Sequence, residues 1–199
     1  MKAHDRTPVA TPIIIGLSLV LIGMGYITAL RTLTKIVMPT LSNSPVAEEV
    51  QPTKFKPQLY QLKIVDRHIQ LVPKTIDIAA TSPKLALTEA LEKLLAQSSA
   101  FDPATTIPAY TRLLDLDITK EGIYVDLSQE FARGGGSSSM IYRVAQVIYT
   151  ATSIDSRTPV FLSIEGRPLN ENYPLGGEGL TLEYPITKQQ FNREFLAQH

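Results

Sequence analysis

The sequence predicts an α+β domain in which a single small sheet is covered by helices, and one transmembrane helix is expected to precede it. Apolar residues alternate at period two in some segments and recur at spacings of three and four in others. These segments follow the order strand, helix, strand, strand, helix, strand, strand, with a last helix at the end. Ahead of them lies a long uncharged run followed by a proline-rich stretch, which predicts an anchor and a spacer.

The first 58 residues are predicted to form a membrane anchor and a spacer. No charged residue occurs among the 24 residues from Thr7 to Leu30, and a helix of about 20 residues crosses a bilayer core. We therefore expect a short tail at 1–12, an uncleaved transmembrane helix with its extension at 13–38, and a semi-rigid linker at 39–58. A cleaved signal peptide is the main alternative, although the apolar run exceeds the usual h-region of about 7–15 residues.

Charge and composition exclude several classes of site. Residues 1–35 carry four basic and one acidic residue, and the remainder carries 15 basic and 18 acidic residues, so the formal net charge is zero. Since no broad basic surface is implied, nucleic acid is not an expected partner. The chain has no cysteine, which excludes disulfides, thiolate metal sites, cysteine catalysis and a lipid-modified cysteine.

The first half of the folded part predicts two extended segments and a helix. The alternating segment Leu59–Val65 predicts a strand that buries three side chains on one face: Tyr60, Leu62 and Ile64. A second extended segment over residues 69–78 is expected to be broken at Pro73. Ser82 and Pro83 suit the N-cap and the first position of a helix that runs to about residue 97.

A hairpin and a central helix are predicted next. Residues 114–118 and 123–127 alternate around the turn signal Lys120-Glu121-Gly122, so they should pair. A glycine hinge follows, and any of the serines at 137–139 can cap the next helix. One face of that helix should be buried, namely Ile141, Val144, Ala145, Ile148 and Ala151.

The last third predicts a strand, a long loop and a terminal helix. Val160–Glu165 alternates as a strand, residues 166–179 are rich in Gly, Asn and Pro, and residues 180–184 are short and extended. Thr187 is the expected N-cap of the last helix, with Gln190 as its capping-box partner.

A series of short motifs runs through this region in a fixed order: Tyr60, Val72-Pro73, Leu87–Leu95, Ile107-Pro108, Tyr124–Ser128, Ala145–Thr152, Val160–Pro168, Gly176-Gly177 and Tyr184–Thr187. In these residues the segment 59–187 resembles the GerMN domain, the module of GerM-type sporulation and spore-germination proteins. The segment 188–199 then forms the expected C-terminal helix. Family members often carry two tandem copies, whereas this chain has room for one.

The resemblance implies a non-enzymatic interaction or scaffold domain of the cell envelope. Domains of this family are similar to the ring-building motifs of secretion systems, which assemble through sheet and helix edges. We therefore expect a single-pass protein of the cell membrane with its domain on the extracytoplasmic side. The expected partners are the membrane, through the N-terminal helix, and an envelope protein or a second copy of the chain. Peptidoglycan is a further candidate, and no cofactor is expected.

The glycine-rich bend is the one candidate ligand site. Glycines ahead of a helix can present amide groups to an anion, and the candidate residues are Arg133, Gly134, Gly135, Gly136, Ser137 and Ser138. An anionic cell-wall or phosphate-containing group is the expected ligand. The structural alternative is a flexible connection with a serine cap, because no Lys follows the glycines as a P-loop requires.

No catalytic or metal-binding set is predicted. His68 beside Asp66 is expected to form an exposed turn pair, since a metal site needs converging ligands. The scattered carboxylates of the hairpin and its exit are expected to face solvent, namely Asp115, Asp117, Asp126 and Glu130. The serines near the bend have no His or Lys base close in sequence.

Overall fold

The computed structural model describes residues 51–97, 104–176, 179–182 and 185–197. The predicted tail, the predicted membrane span at 13–38 and the greater part of the predicted linker lie outside these residues. Within the described part of the chain, no helix combines the length and the apolar character that a bilayer span requires.

The described residues form eight strands and three α-helices. A short 3₁₀ helix, Gln129–Ala132, precedes the central α-helix, and a π-helical turn, Asn192–Leu196, follows the last one. In chain order the elements are β1 (Thr53–Phe55), β2 (Gln58–Val65), β3 (His68–Thr75), β4 (Ile78–Ala80), α1 (Pro83–Ala96), β5 (Leu113–Ile118), β6 (Ile123–Leu127), α2 (Ser137–Ala151), β7 (Val160–Ile164), β8 (Arg167–Pro168) and α3 (Lys188–Phe191).

The strands are divided among several sheets, so the prediction of a single sheet is wrong. A four-stranded sheet has the order β5-β6-β7-β8, with β6 and β7 parallel and joined through α2. Strands β1 and β4 form one two-stranded ribbon, and β2 and β3 form another. The predicted hairpin of β5 and β6 is confirmed, with Ile118 opposite Ile123. Strand β1 lies within the segment for which the sequence predicts a linker.

Side chains of α2 explain why the β2–β3 ribbon stays separate from the larger sheet. The Tyr60 amide donates to the Thr150 hydroxyl at 3.1 Å, and the Gln146 amide nitrogen donates to the Tyr60 carbonyl at 2.9 Å. The Leu62 amide donates to the Ala104 carbonyl at 2.7 Å. These contacts satisfy three backbone groups on the outer edge of β2, which are then not available to another strand.

Strand β3 is continuous, so the predicted break at Pro73 does not occur. Pro73 lies opposite Tyr60, whose amide and carbonyl both face α2. This pair therefore makes no hydrogen bonds across the ribbon, and an edge strand tolerates the missing proline donor there. The predicted burial of Ile64 is also wrong, because the ribbon projects beyond the core and leaves Ile64 70% exposed.

The core lies between the four-stranded sheet and the helices. Ser82 caps α1 through the Leu85 amide, as predicted. The predicted apolar stripe of α2 is confirmed, but this helix is buried almost all round from Arg143 to Ala151. It packs against β2, α1 and α3 and therefore connects the N-terminal ribbon with the C-terminal end of the chain.

Two further details depart from the predicted pattern. Leu114 is an extra residue in β5 relative to β6, and this bulge turns its side chain to solvent. Residues 180–184 are predicted to be extended; the structure describes 180–182 and shows a single bridge from Leu180 to Leu175.

The capping box of Thr187 and Gln190 is confirmed, and Phe191 is fully buried in the common core.

Candidate functional site

The glycine-rich bend joins the 3₁₀ helix to α2 and lies on the surface. All six residues of the predicted ligand site, Arg133 to Ser138, are exposed and adjacent. Gly134 and Gly135 have φ values of 60° and 79°, a backbone region that glycine enters without steric cost. The bend therefore brings the predicted residues together on one solvent-facing turn.

A buried arginine supports the bend from below. Arg143 of α2 is only 2% exposed, and one terminal nitrogen donates to the carbonyls of Phe131 at 2.7 Å and Arg133 at 3.0 Å. The other donates to the Gly134 carbonyl at 2.9 Å and to the Ser139 hydroxyl at 3.2 Å. Burial lowers the pKa of the Arg143 guanidinium, although the group stays protonated near neutral pH.

This arrangement explains the glycine at position 135 and corrects the predicted cap. A Cβ atom there would lie 2.6 Å from both Nη2 of Arg143 and Oγ of Ser139.

Gly136 is the N-cap of α2, and no side chain caps this helix end. The prediction that a serine caps α2 is therefore wrong, since Ser137 to Ser139 already form its first turn.

The bend has a structural role, and it also exposes backbone amides and one cationic side chain. Its carbonyls point inward to Arg143, whereas the first amides of α2 face outward, as they do at any helix start. The exposed side chain of Arg133 lies 3.6 Å from the Glu130 carboxylate. No ion pair to Arg143 occurs among the described residues, and its guanidinium is held by three backbone carbonyls and the Ser139 hydroxyl. Anion binding here stays a prediction.

The β2–β3 ribbon presents a second surface. Its tip has positive φ at Asp66 and Arg67, the backbone of a tight hairpin turn. Three apolar side chains of the ribbon are exposed, namely Ile64, Ile69 and Val72. In the described part of the chain no strand pairs with the outer edge of β3, and the Tyr142 hydroxyl donates to its Ile69 carbonyl at 3.3 Å.

The other candidate side chains do not converge. The His68 ring lies at the ribbon tip, with Nδ1 2.9 Å from the Asp66 carbonyl. The Asp126 carboxylate accepts from the Ser163 hydroxyl at 2.7 Å and the Gly166 amide at 2.9 Å, and so holds the turn between β7 and β8. These interactions are local and structural.

Arg143 is the residue of this candidate site that the sequence analysis does not identify. The signal in the sequence is that Arg143 is the one charged residue of the segment 137–151, which forms the central helix. Because its partners are backbone carbonyls, no acidic residue elsewhere in the sequence indicates the contact.

Comparison with known proteins supports the predicted resemblance. A family model described as "Germane: Sporulation and spore germination" matches residues 58–170, and no curated protein matches the chain. Among solved structures, the first GerMN domain of the sporulation protein GerM from Bacillus subtilis is 25% identical, with a TM-score of 0.51. That match covers 68% of this chain and 98% of the other. The GerMN resemblance and the α+β fold class are thereby confirmed.

The tandem GerMN domains of the same Bacillus subtilis protein give a similar result. They are 24% identical to this chain, with a TM-score of 0.50. The match covers 69% of this chain and 47% of the tandem structure, so this chain spans about half of that protein fragment.

Proposed function

Because the chain belongs to the Germane family of sporulation and spore germination, we propose that it is a non-enzymatic interaction domain of the cell envelope. In this proposal residues 13–38 anchor the chain in the membrane and the folded domain lies on the extracytoplasmic side. The family assignment supports an envelope role, and the uncharged run from Thr7 to Leu30 supports the anchor.

The observation that carries the interaction role is the projecting β2–β3 ribbon. Strand β3 is eight residues long, and a long edge strand is a template for pairing with another chain. Exposed Ile64, Ile69 and Val72 add apolar area that the domain itself leaves uncovered. A surface of this kind is typical of a docking site.

We commit to a second copy of the chain as the partner of this ribbon. The ribbon has basic character, with Lys63, Arg67 and Lys74 against Asp66. The edge strand β5 carries two aspartates and exposes two apolar side chains, which are Leu114 and Ile118. Pairing β3 of one copy with β5 of the next is complementary in apolar area, and it brings the basic ribbon close to Asp115; Asp117 already pairs with Lys84. Such a head-to-tail contact builds rings or filaments.

Self-association is tested by measuring the mass of the full-length chain in a neutral detergent by light scattering. We expect a concentration-dependent oligomer that the variant Ile69→Asp disrupts, because it places a negative charge opposite the aspartates of β5. Leu85→Asp is the matched control, since Leu85 is an exposed residue of α1 outside the ribbon. A wild-type chain that stays monomeric, or an oligomer that Ile69→Asp leaves intact, contradicts pairing through β3.

Membrane topology is tested separately. Protease added to intact spheroplasts should digest the domain and leave the fragment around residues 13–38 in the membrane. Complete protection of the domain contradicts an extracytoplasmic position, and recovery of a soluble mature chain supports the cleaved signal peptide instead.

The second candidate function is recognition of an anionic cell-wall or phosphate-containing group at the bend. The favouring observation is the buried charge of Arg143, whose guanidinium donates to the carbonyls of Arg133 and Gly134 in this exposed bend. Titration with inorganic phosphate tests it, with Arg133→Gln as the variant that should weaken binding. Identical titrations of wild type and variant contradict this function.

A further inference from the structure

A cavity lies on the face of the domain where α2 ends and α3 begins. Its volume is about 450 Å³, and its lining includes Tyr149, Ser156, Arg157, Lys188 and Asn192. This volume falls within the range of about 300–1,000 Å³ that is usual for small-molecule sites. Every one of these side chains carries a hydrogen-bonding group, which indicates a polar ligand.

Lys188 is a cation held in one position at this cavity. Its Nζ lies 4.6 Å and 4.2 Å from the ring centroids of Tyr60 and Tyr149 and donates to the Tyr60 hydroxyl at 3.0 Å. The two rings meet edge to face with centroids 5.1 Å apart. The aromatic faces stabilise the ammonium and restrict its rotamers, so the charge is oriented before any ligand arrives.

Within residues 51–97, 104–176, 179–182 and 185–197, no carboxylate forms an ion pair with this ammonium. None of the ion pairs among the described residues involves Lys188. Burial, and secondarily Tyr60, raises the pKa of the Tyr149 hydroxyl above its ordinary value, so this group is a neutral donor at neutral pH. It donates to Oδ1 of Asn192 at 3.4 Å, which leaves the amide hydrogens of Asn192 for another acceptor. The cavity therefore has an excess of donors and positive charge.

Arg157 supplies a second cation at the rim. Its side chain is 93% exposed and lies 3.8 Å from the Asp155 carboxylate. An ion pair this exposed contributes little stability, so the guanidinium can turn towards an anion in the cavity at small cost. Ser156, the preceding residue, adds a hydroxyl donor on the same loop.

We infer that this cavity binds a small polar molecule through an oxyanion, a carboxylate or a phosphate, held between Lys188 and Arg157. Asn192 and Ser156 donate to neighbouring oxygen atoms of the same ligand. The site is separate from the glycine-rich bend and does not depend on self-association through the ribbon.

The test is isothermal titration of the full-length chain in a neutral detergent at low ionic strength, where attraction between exposed charges is least screened. The probes are inorganic phosphate, glucuronate as a sugar carboxylate, and glucose as the neutral control. We expect saturable binding of phosphate, glucuronate or both, and no binding of glucose. Phosphate alone identifies a phosphoryl ligand, and glucuronate alone identifies a carboxylated one.

Variants locate the binding site. Lys188→Gln should weaken the affinity about tenfold or more, which corresponds to about 1.4 kcal/mol of binding free energy. Arg157→Gln should also weaken binding, and this exposed residue can be replaced without disturbing the fold. Lys84→Gln is the matched control, because it removes an exposed cation that lies outside both the cavity lining and the glycine-rich bend. Arg133→Gln reports separately on anion binding at the bend.

Two outcomes overturn the inference. One is the absence of saturable binding for both anions, or equal binding of glucose. The other is anion affinity that both Arg157→Gln and Lys188→Gln leave unchanged. If only Arg133→Gln lowers the affinity, the anion binds at the glycine-rich bend instead. A Lys188→Gln chain that fails to fold leaves Arg157→Gln as the deciding variant.

Discussion

Replacing Arg143 by Met tests whether this residue holds the turn into α2. Methionine keeps most of the unbranched apolar stem and removes all four hydrogen bonds of the guanidinium. The bond to the Phe131 carbonyl is buried, and a hydrogen bond to a charged group contributes about 1.5–3 kcal/mol. The other three are partly buried, so water can replace the lost donor and they add less.

One opposing contribution reduces the expected loss. The guanidinium is desolvated without a carboxylate partner in the described residues, and methionine removes that cost. We expect Arg143→Met to lower the free energy of unfolding by about 2 kcal/mol, which corresponds to roughly 4–8 °C in Tm for a domain of this size. Thermal and urea unfolding followed by circular dichroism measures the change. Amide hydrogen exchange should accelerate at residues 131–136.

Arg133→Met is the matched control, because it makes the same substitution at an arginine whose side chain is 70% exposed. Its effect should stay within about 0.5 kcal/mol. If the two variants unfold alike and exchange in the bend is unchanged, Arg143 does not support the turn and the account of the bend is incorrect.

Three further predictions concern stability. A non-glycine residue in the left-handed backbone region costs roughly 1–2 kcal/mol. Gly135→Ala should lower the free energy of unfolding, measured in urea, by more than this, because the new Cβ also displaces Arg143. Ile148→Ala should cost about 2–5 kcal/mol, seen as a lower Tm, because Ile148 is fully buried. Lys84 lowers the pKa of the Asp117 carboxyl, chiefly through a hydrogen bond. That stabilisation is present above the ordinary aspartate pKa and is lost as pH falls through the lowered value. Lys84→Gln should therefore flatten the acid side of the curve of Tm against pH.

Each of these predictions has an internal comparison. Gly134→Ala has the same left-handed backbone but open space around its Cβ, so it should cost less than the change at 135. Ile154→Ala, at a partly exposed position, should melt close to wild type. Equal effects within either pair contradict the packing described for that position. An unchanged pH profile for Lys84→Gln contradicts the ion pair with Asp117.

The sequence predicts well those elements whose signal is local. Ser82-Pro83 marks the start of α1, and Thr187 with Gln190 marks the start of α3, because caps satisfy backbone groups within one turn. The hairpin of β5 and β6 follows from alternation on both sides of Gly122. Each of these depends on residues a few positions apart.

The division into separate sheets depends on distant residues and could not be predicted. It results from Thr150 and Gln146 reaching the edge of β2, a contact across 90 residues for the Tyr60–Thr150 pair. In the sequence both read as ordinary polar residues of a half-buried helix. The roles of Arg143 and Lys188 could not be predicted for a related reason. Arg143 donates chiefly to backbone carbonyls and Lys188 lies against two aromatic rings, so no acidic partner in the sequence indicates either contact.

The same contact between β2 and α2 sets an order of events during synthesis. Residues 58–65 leave the ribosome long before Thr150, and elongation at about 5–20 residues per second separates the two by roughly 5–18 s. For that interval the Tyr60 amide and carbonyl lack their partners on α2, and the ribbon has only part of its native packing surface. The nascent chain therefore exposes an aggregation-prone strand until α2 is complete. Substitutions that weaken α2 should reduce the yield of folded protein more than their equilibrium effect on stability indicates.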